Sequence, residues 1–96
     1  MKERTVTITN RLGLHARAAA RFVRCSNQFT SEIELVREDT RQSADGKSIL
    51  GVLLLAASLG TRVTIRASGQ DEERAANLLA QLVEERFGEE VSDGLF

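Results

Sequence analysis

Residues 62–83 read RVTIRASGQDEERAANLLAQLV, and the spacing of apolar residues changes partway along them. From Arg62 to Ala67, apolar and polar residues alternate around Val63 and Ile65, as in a strand with one buried face. From Ala75 the spacing becomes helical: Ala75, Leu78, Leu79, Leu82 and Val83 form one apolar stripe. Gly69 to Arg74 opens this helix, with Asp71, Glu72 and Glu73 placed at the positive end of its dipole. A strand feeding an amphipathic helix is thus the unit from which the rest of the chain is read.

The same alternation recurs upstream. Thr5 to Thr9 is β-branched and alternating, predicting a strand with Val6 and Ile8 inward. Asn10-Arg11-Leu12-Gly13 breaks it as a loop. Ala16 to about Gln28 predicts a helix burying Ala16, Ala19, Ala20 and Val23, with Phe22 alongside and Arg17, Arg21 and Arg24 turned elsewhere. Glu32 to Val36 predicts a second strand. A turn at Glu38-Asp39-Thr40 follows, then a polar third strand over Thr40–Ala44 at a sheet edge. Ile49 to Leu59 fits a buried strand or a short buried helix. Its Leu and Ala content favours helix, with Gly60 as the stop. The order is β-α-β-β-α-β-α. An α+β fold with a four-stranded antiparallel sheet and three helices on one face would bury every stripe in one core.

Composition narrows the functions. The 96 residues suit one domain, and 42% hydrophobic content suits an ordinary core. A net charge of -1 gives no general pull toward nucleic acid or anionic membrane, and the lack of Trp and Tyr leaves no platform for stacking bases. Cys25 is the only cysteine, so neither an internal disulfide nor a Cys-rich metal site is expected, and a reducing cytoplasm is the natural compartment. Cys25 itself reads as a small, buried or half-buried residue. The charged first ten residues do not resemble a signal peptide, and the longest apolar run is too short for a bilayer. Residues 1–87 are read as the domain. Residues 88–96 are read as a loose acidic tail.

Gly13-Leu14-His15-Ala16-Arg17 lies where a loop enters a helix. The unpaired backbone N–H groups there, at Ala16 and Arg17, can hold an anion. An imidazole at that point can attack phosphorus through a ring nitrogen, with the Arg17 side chain adding a charge-assisted contact. Gly13 lets the backbone approach closely. Taken alone, a histidine at a helix start is more often a cap or a surface residue. Ser48 likewise reads first as the cap of the following helix. A phosphate there would suit the dipole and would place charge on the apolar patch of Ile49, Leu50 and Leu53. The run Asp71-Glu72-Glu73 is a solvated helix start rather than a metal site, and no metal or cofactor motif is present.

Residues 8–20, ITNRLGLHARAAA, closely resemble the active-site signature of the HPr family, the histidine phosphocarriers of the bacterial phosphotransferase system. Lys47-Ser48-Ile49-Leu50-Gly51-Val52 resembles that family's regulatory serine region, and Gly60 to Gly69 with Asp71-Glu72 its last strand and helix start. The likeness runs from about Thr5 to Phe87. It implies an open-faced β-sandwich and a carrier modified stoichiometrically, not an enzyme with turnover of its own. It also implies phosphorylation of His15 on Nδ1 by phosphoenolpyruvate-charged enzyme I, with Arg17 assisting, and delivery to an enzyme IIA domain. Ser48 matches the serine modified by HPr kinase/phosphorylase, and Ile49 and Leu50 match partner-contacting residues. The implied rival is a regulatory module that binds transcriptional regulators through its Ser48-phosphorylated form. A plain structural domain would leave the joint motifs to chance. One departure stands out. Ala18 occupies the usual proline position, so the helix is expected to persist with a more flexible start.

Overall fold

Each change of hydrophobic period becomes a change of element in the computed structural model, which describes residues 1–89. The strands are β1 (Lys2–Thr7), β2 (Glu32–Arg37), β3 (Ser43–Asp45) and β4 (Arg62–Ser68). The helices are α1 (Ala16–Ser26), α2 (Ile49–Leu54) and α3 (Glu72–Glu84), and a 3-10 turn at Arg86–Gly88 follows α3. The sheet order is β1-β4-β2-β3, with every neighbouring pair antiparallel. The polar β3 lies at an edge, as expected.

Register separates the two sheet faces. Val6 pairs with Val63, Leu35 with Ile65 and Ile33 with Ala67. These side chains are buried in one core with Phe22 of α1, Val52 of α2 and Leu79 and Val83 of α3. Burial of each such large side chain contributes about 1.5–3 kcal/mol. On the other face, Glu3 and Glu34 flank Arg66 across three strands, with ion pairs of 2.9 and 3.1 Å. That face carries no helix, so the sandwich is open.

Several boundaries differ from expectation. Helix α2 ends at Leu54 rather than Leu59, and it is not buried as expected: Val52 alone is fully covered, while Ile49, Leu50 and Leu54 face outward because the short helix packs one side on the core. Ala56 turns left-handed at φ +51, and Arg37 Nη1 donates to the carbonyls of Leu55 at 2.8 Å and Ala56 at 3.1 Å. A tertiary cap therefore stops this helix, and Gly60 instead serves the turn into β4. Strand β1 starts at Lys2, and Ile8 continues its pairing irregularly through bonds with Thr61 and Gly60. Strand β3 occupies 43–45: Arg41 turns at φ +63, its N–H donating to the Arg37 carbonyl at 2.8 Å, and Gln42 is joined to β2 only through its carbonyl, which accepts the Arg37 N–H at 2.8 Å. The stripe of α1 is rotated: Ala18, Ala19, Phe22 and Ser26 are buried while Ala16 is exposed. The loose tail does not begin at Gly88. Gly88 closes the 3-10 turn, and Glu89 reaches the loop before α1. The rest of that expected tail, residues 90–96, lies outside the described residues.

Candidate functional site

Helix α1 begins where the loop after β1 folds back on itself. Gly13 N–H donates to the Asn10 carbonyl at 3.2 Å, and Leu14 N–H donates to the Ala57 carbonyl at 2.9 Å. Gly13 has φ +65, and a Cβ there would sit 2.6 Å from the Ala57 oxygen. Only glycine meets both the left-handed backbone and the close approach. Leu14 is buried and anchors the loop to the core. The next residue, His15, is held between that anchor and the helix.

His15 is the N-cap of α1, with extended backbone, and its Nδ1 accepts the Arg17 N–H at 3.3 Å. The first ladder bond runs from Ala19 N–H to the His15 carbonyl at 2.8 Å. Ala18 thus lies ahead of the ladder, and the helix runs through it as expected. Its N–H is one of the first-turn donors that the helix ladder leaves unpaired. The Arg17 N–H, expected to face a phosphate, points at Nδ1 in the unmodified protein. The Arg17 guanidinium is exposed and makes no hydrogen bond or ion pair among the described residues.

The other ring nitrogen, Nε2, is engaged by the Glu89 carboxylate. Asn10 Nδ2 donates to the second Glu89 oxygen at 3.0 Å and to the Gly13 carbonyl at 2.7 Å. Two acceptors on one amide nitrogen settle which way that amide faces. Side-chain exposure is 24% for His15 and 10% for Glu89. Both ring nitrogens therefore have a distinct, directed partner. Neither Asn10 nor Glu89 was expected from the sequence. Asn10 reads as a loop residue, and Glu89 sits in an aperiodic acidic stretch.

Ser48 is the N-cap of α2: its Oγ accepts the Gly51 N–H at 3.1 Å, and it is half-buried. Lys47 points away, its Nζ donating to the Phe29 carbonyl at 2.7 Å. Ile49 and Leu50 are exposed, whereas Leu53 packs partly against the core. Leu54, which the sequence did not single out, is the most exposed of this group at 73%, and Leu12 is exposed on the loop before His15. Cys25 is half-buried, and burial raises its thiol pKa, which opposes thiolate chemistry. Among the described residues there is no cluster of three metal-ligating side chains, and no helix is long and apolar enough to cross a membrane.

Comparison with known proteins gives this geometry a context. A family model described as the PTS HPr component phosphorylation site matches residues 2–85. The phosphocarrier protein HPr of Cupriavidus necator is 43% identical over 89 residues, covering 93% of this chain and 98% of that one. The phosphocarrier protein NPr of Shewanella violacea is 40% identical over 87 residues, covering 91% and 93%. The crystal structure of HPr-C-His from Thermoanaerobacter tengcongensis superposes with a TM-score of 0.88 at 43% identity, covering 95% of this chain and all of that one.

Proposed function

The chain belongs to the HPr family of phosphotransferase-system phosphocarriers, and from that we propose that His15 is the residue that carries the phosphoryl group. The donor is enzyme I charged by phosphoenolpyruvate, and the acceptor is an enzyme IIA domain. The Nδ1 lone pair attacks phosphorus. The bond from phosphorus to the enzyme I atom breaks, and that atom keeps the electron pair. The observation that carries this reading is the position of Nδ1 at the start of α1, beside the Arg17 N–H. Once Nδ1 bears the phosphoryl group, the N–H groups of Ala16 and Arg17 can turn to its oxygens, where the helix dipole also favours negative charge. The Arg17 guanidinium is exposed and can close on the same oxygens.

In this reading the carrier domain takes in residues 1–89, two residues beyond the boundary expected from the sequence, because Gly88 and Glu89 pack at the site; it works in the cytoplasm and is modified once per cycle without turnover of its own. Ile49, Leu50 and Leu53 contribute to partner docking, with Leu54 and Leu12 extending the exposed apolar surface. HPr kinase/phosphorylase modifies Ser48. A second reading, regulation of transcription factors through the Ser48-phosphorylated form, is favoured by one observation. Ser48 is half-exposed beside exposed Ile49 and Leu50, so a phosphate would recharge that apolar surface directly.

Labelling with phosphoenolpyruvate and enzyme I tests the first reading. The expected product is an acid-labile phosphoprotein, lost in His15→Ala; label surviving that substitution removes His15 from the role. Incubation with HPr kinase and ATP is expected to add an acid-stable phosphate that Ser48→Ala abolishes. Equal modification of the variant would displace Ser48.

A further inference from the structure

Glu89 lies outside the residues 2–85 that the family model matches, yet it makes the most direct contact with the His15 ring. The backbone that delivers it is unusual. Arg86, Phe87 and Gly88 all have positive φ, at 59, 57 and 78°. Two of the three are not glycine, and such conformations persist only where surrounding contacts hold them. Those contacts are visible. The Phe87 side chain is fully buried in the core, and Arg21 Nη1 of α1 donates to the Phe87 carbonyl at 2.5 Å. Glu89 N–H donates back to the Arg86 carbonyl at 2.9 Å. The reversal turns the Glu89 side chain onto His15, where Asn10 holds its other oxygen.

The hydrogen bonds around the ring decide the tautomer. Nδ1 accepts from a backbone N–H, so it carries the lone pair. In the neutral ring the proton then resides on Nε2, which donates to Glu89. We propose that Glu89 is a positioning residue for phosphoryl transfer, its carboxylate holding the Nε2–H tautomer of His15 so that Nδ1 is the nucleophile. This rests on the carrier reading above. The nitrogen–phosphorus bond forms from the Nδ1 lone pair while the donor atom leaves with its own electron pair. The ring keeps the Nε2 proton and becomes cationic, and the Glu89 carboxylate offsets that charge. On delivery the nitrogen–phosphorus bond breaks, its electron pair returns to Nδ1, and the ring is neutral again. The cycle then requires no proton to enter or leave the imidazole.

The test compares the full-length protein with Glu89→Ala and Glu89→Gln, both checked for folding by thermal unfolding. Nitrogen NMR of the imidazole reads the tautomer, and labelling from phosphoenolpyruvate and enzyme I reads the transfer rate. The parent protein is expected to show the Nε2–H form alone. Glu89→Ala is expected to populate the Nδ1–H form and to slow transfer about tenfold, as suits loss of one charge-assisted hydrogen bond. Glu89→Gln is expected to fall between them, because Asn10 and His15 contact different carboxylate oxygens and the amide replaces one of those acceptors with an NH2 donor and removes the charge. An unchanged tautomer in Glu89→Ala overturns the proposal, as does an unchanged transfer rate. If no variant and no parent protein accepts label, the carrier reading fails, while the tautomer spectra still decide whether Glu89 positions the ring.

Discussion

Gly13 and Ala57 meet backbone to backbone: the Ala57 carbonyl accepts the Leu14 N–H, and no side chain fits between that carbonyl and the Gly13 Cα. The loop that presents His15 is thereby sutured to the segment leaving α2. Gly13→Ala is expected to cost roughly 3 kcal/mol, combining left-handed strain with a clash against backbone that cannot yield. Urea unfolding measures it. Phosphoryl acceptance should fall along with stability, because the suture sets the entry angle of α1. A variant as stable as the parent would show that the loop can reopen without penalty.

Ser48 has a structural role that must be separated from any modification. Ser48→Ala removes the α2 cap and is expected to cost about 1 kcal/mol. Ser48→Asp retains an acceptor for the Gly51 N–H and should recover most of that stability while adding charge beside Ile49 and Leu50. Comparing unfolding midpoints with transfer rates for the two variants divides the effects. Slowed transfer in a fully stable Ser48→Asp protein is the outcome expected if charge at this position regulates.

Asp71 ties the start of α3 to the segment between α1 and β2. Its carboxylate accepts the Ser31 hydroxyl at 2.5 Å and the backbone N–H groups of Thr30 and Ser31 at 3.0 Å each. The Ser31 hydroxyl, then the Thr30 N–H, lower its pKa to about 2. The folded state thus binds the Asp71 proton less readily than the unfolded chain, whose Asp titrates near ~4. The stabilisation is complete above that range and is lost as pH falls from about 4 through about 2. Asp71→Asn is expected to be less stable than the parent at neutral pH, with the difference narrowing across that acid window. Unfolding curves recorded at several pH values check it, and a constant gap would contradict the assignment.

Phe87 joins the core to the site. Phe87→Ala is expected to cost about 4 kcal/mol through the cavity it leaves. It should also release Glu89, so His15 tautomer heterogeneity should appear in the folded fraction at low temperature. Loss of stability with an unaltered imidazole spectrum would mean that Arg21 alone holds the reversal.

The element order was legible because each segment carries its own hydrophobic period, and the edge position of β3 followed from its polarity. The phase of α1 was not, since alanines at 16 and 18–20 leave the buried face to be chosen by packing around Phe22. The end of α2 was not legible either, because Leu and Ala continue past Leu54 and the stop comes from Arg37, distant in sequence. Local signals made His15 a candidate, with Gly13 before it and a helix after it, but they left the reading as a plain cap ahead; the joint motifs of residues 8–20 and 47–52 raised it above that. Its acidic partner could not be singled out, because a glutamate in an aperiodic run has no pattern that points across 74 positions.

That separation has a consequence during synthesis. His15 leaves the ribosome early, and the carboxylate that grips its ring emerges 74 residues later. A nascent chain that has already wound α1 still presents an ungripped imidazole. The contact with His15 requires the chain to have been made through α3 and its reversal at Arg86–Gly88. If Glu89 positions the ring as proposed, completion of the fold and readiness of the histidine become one event.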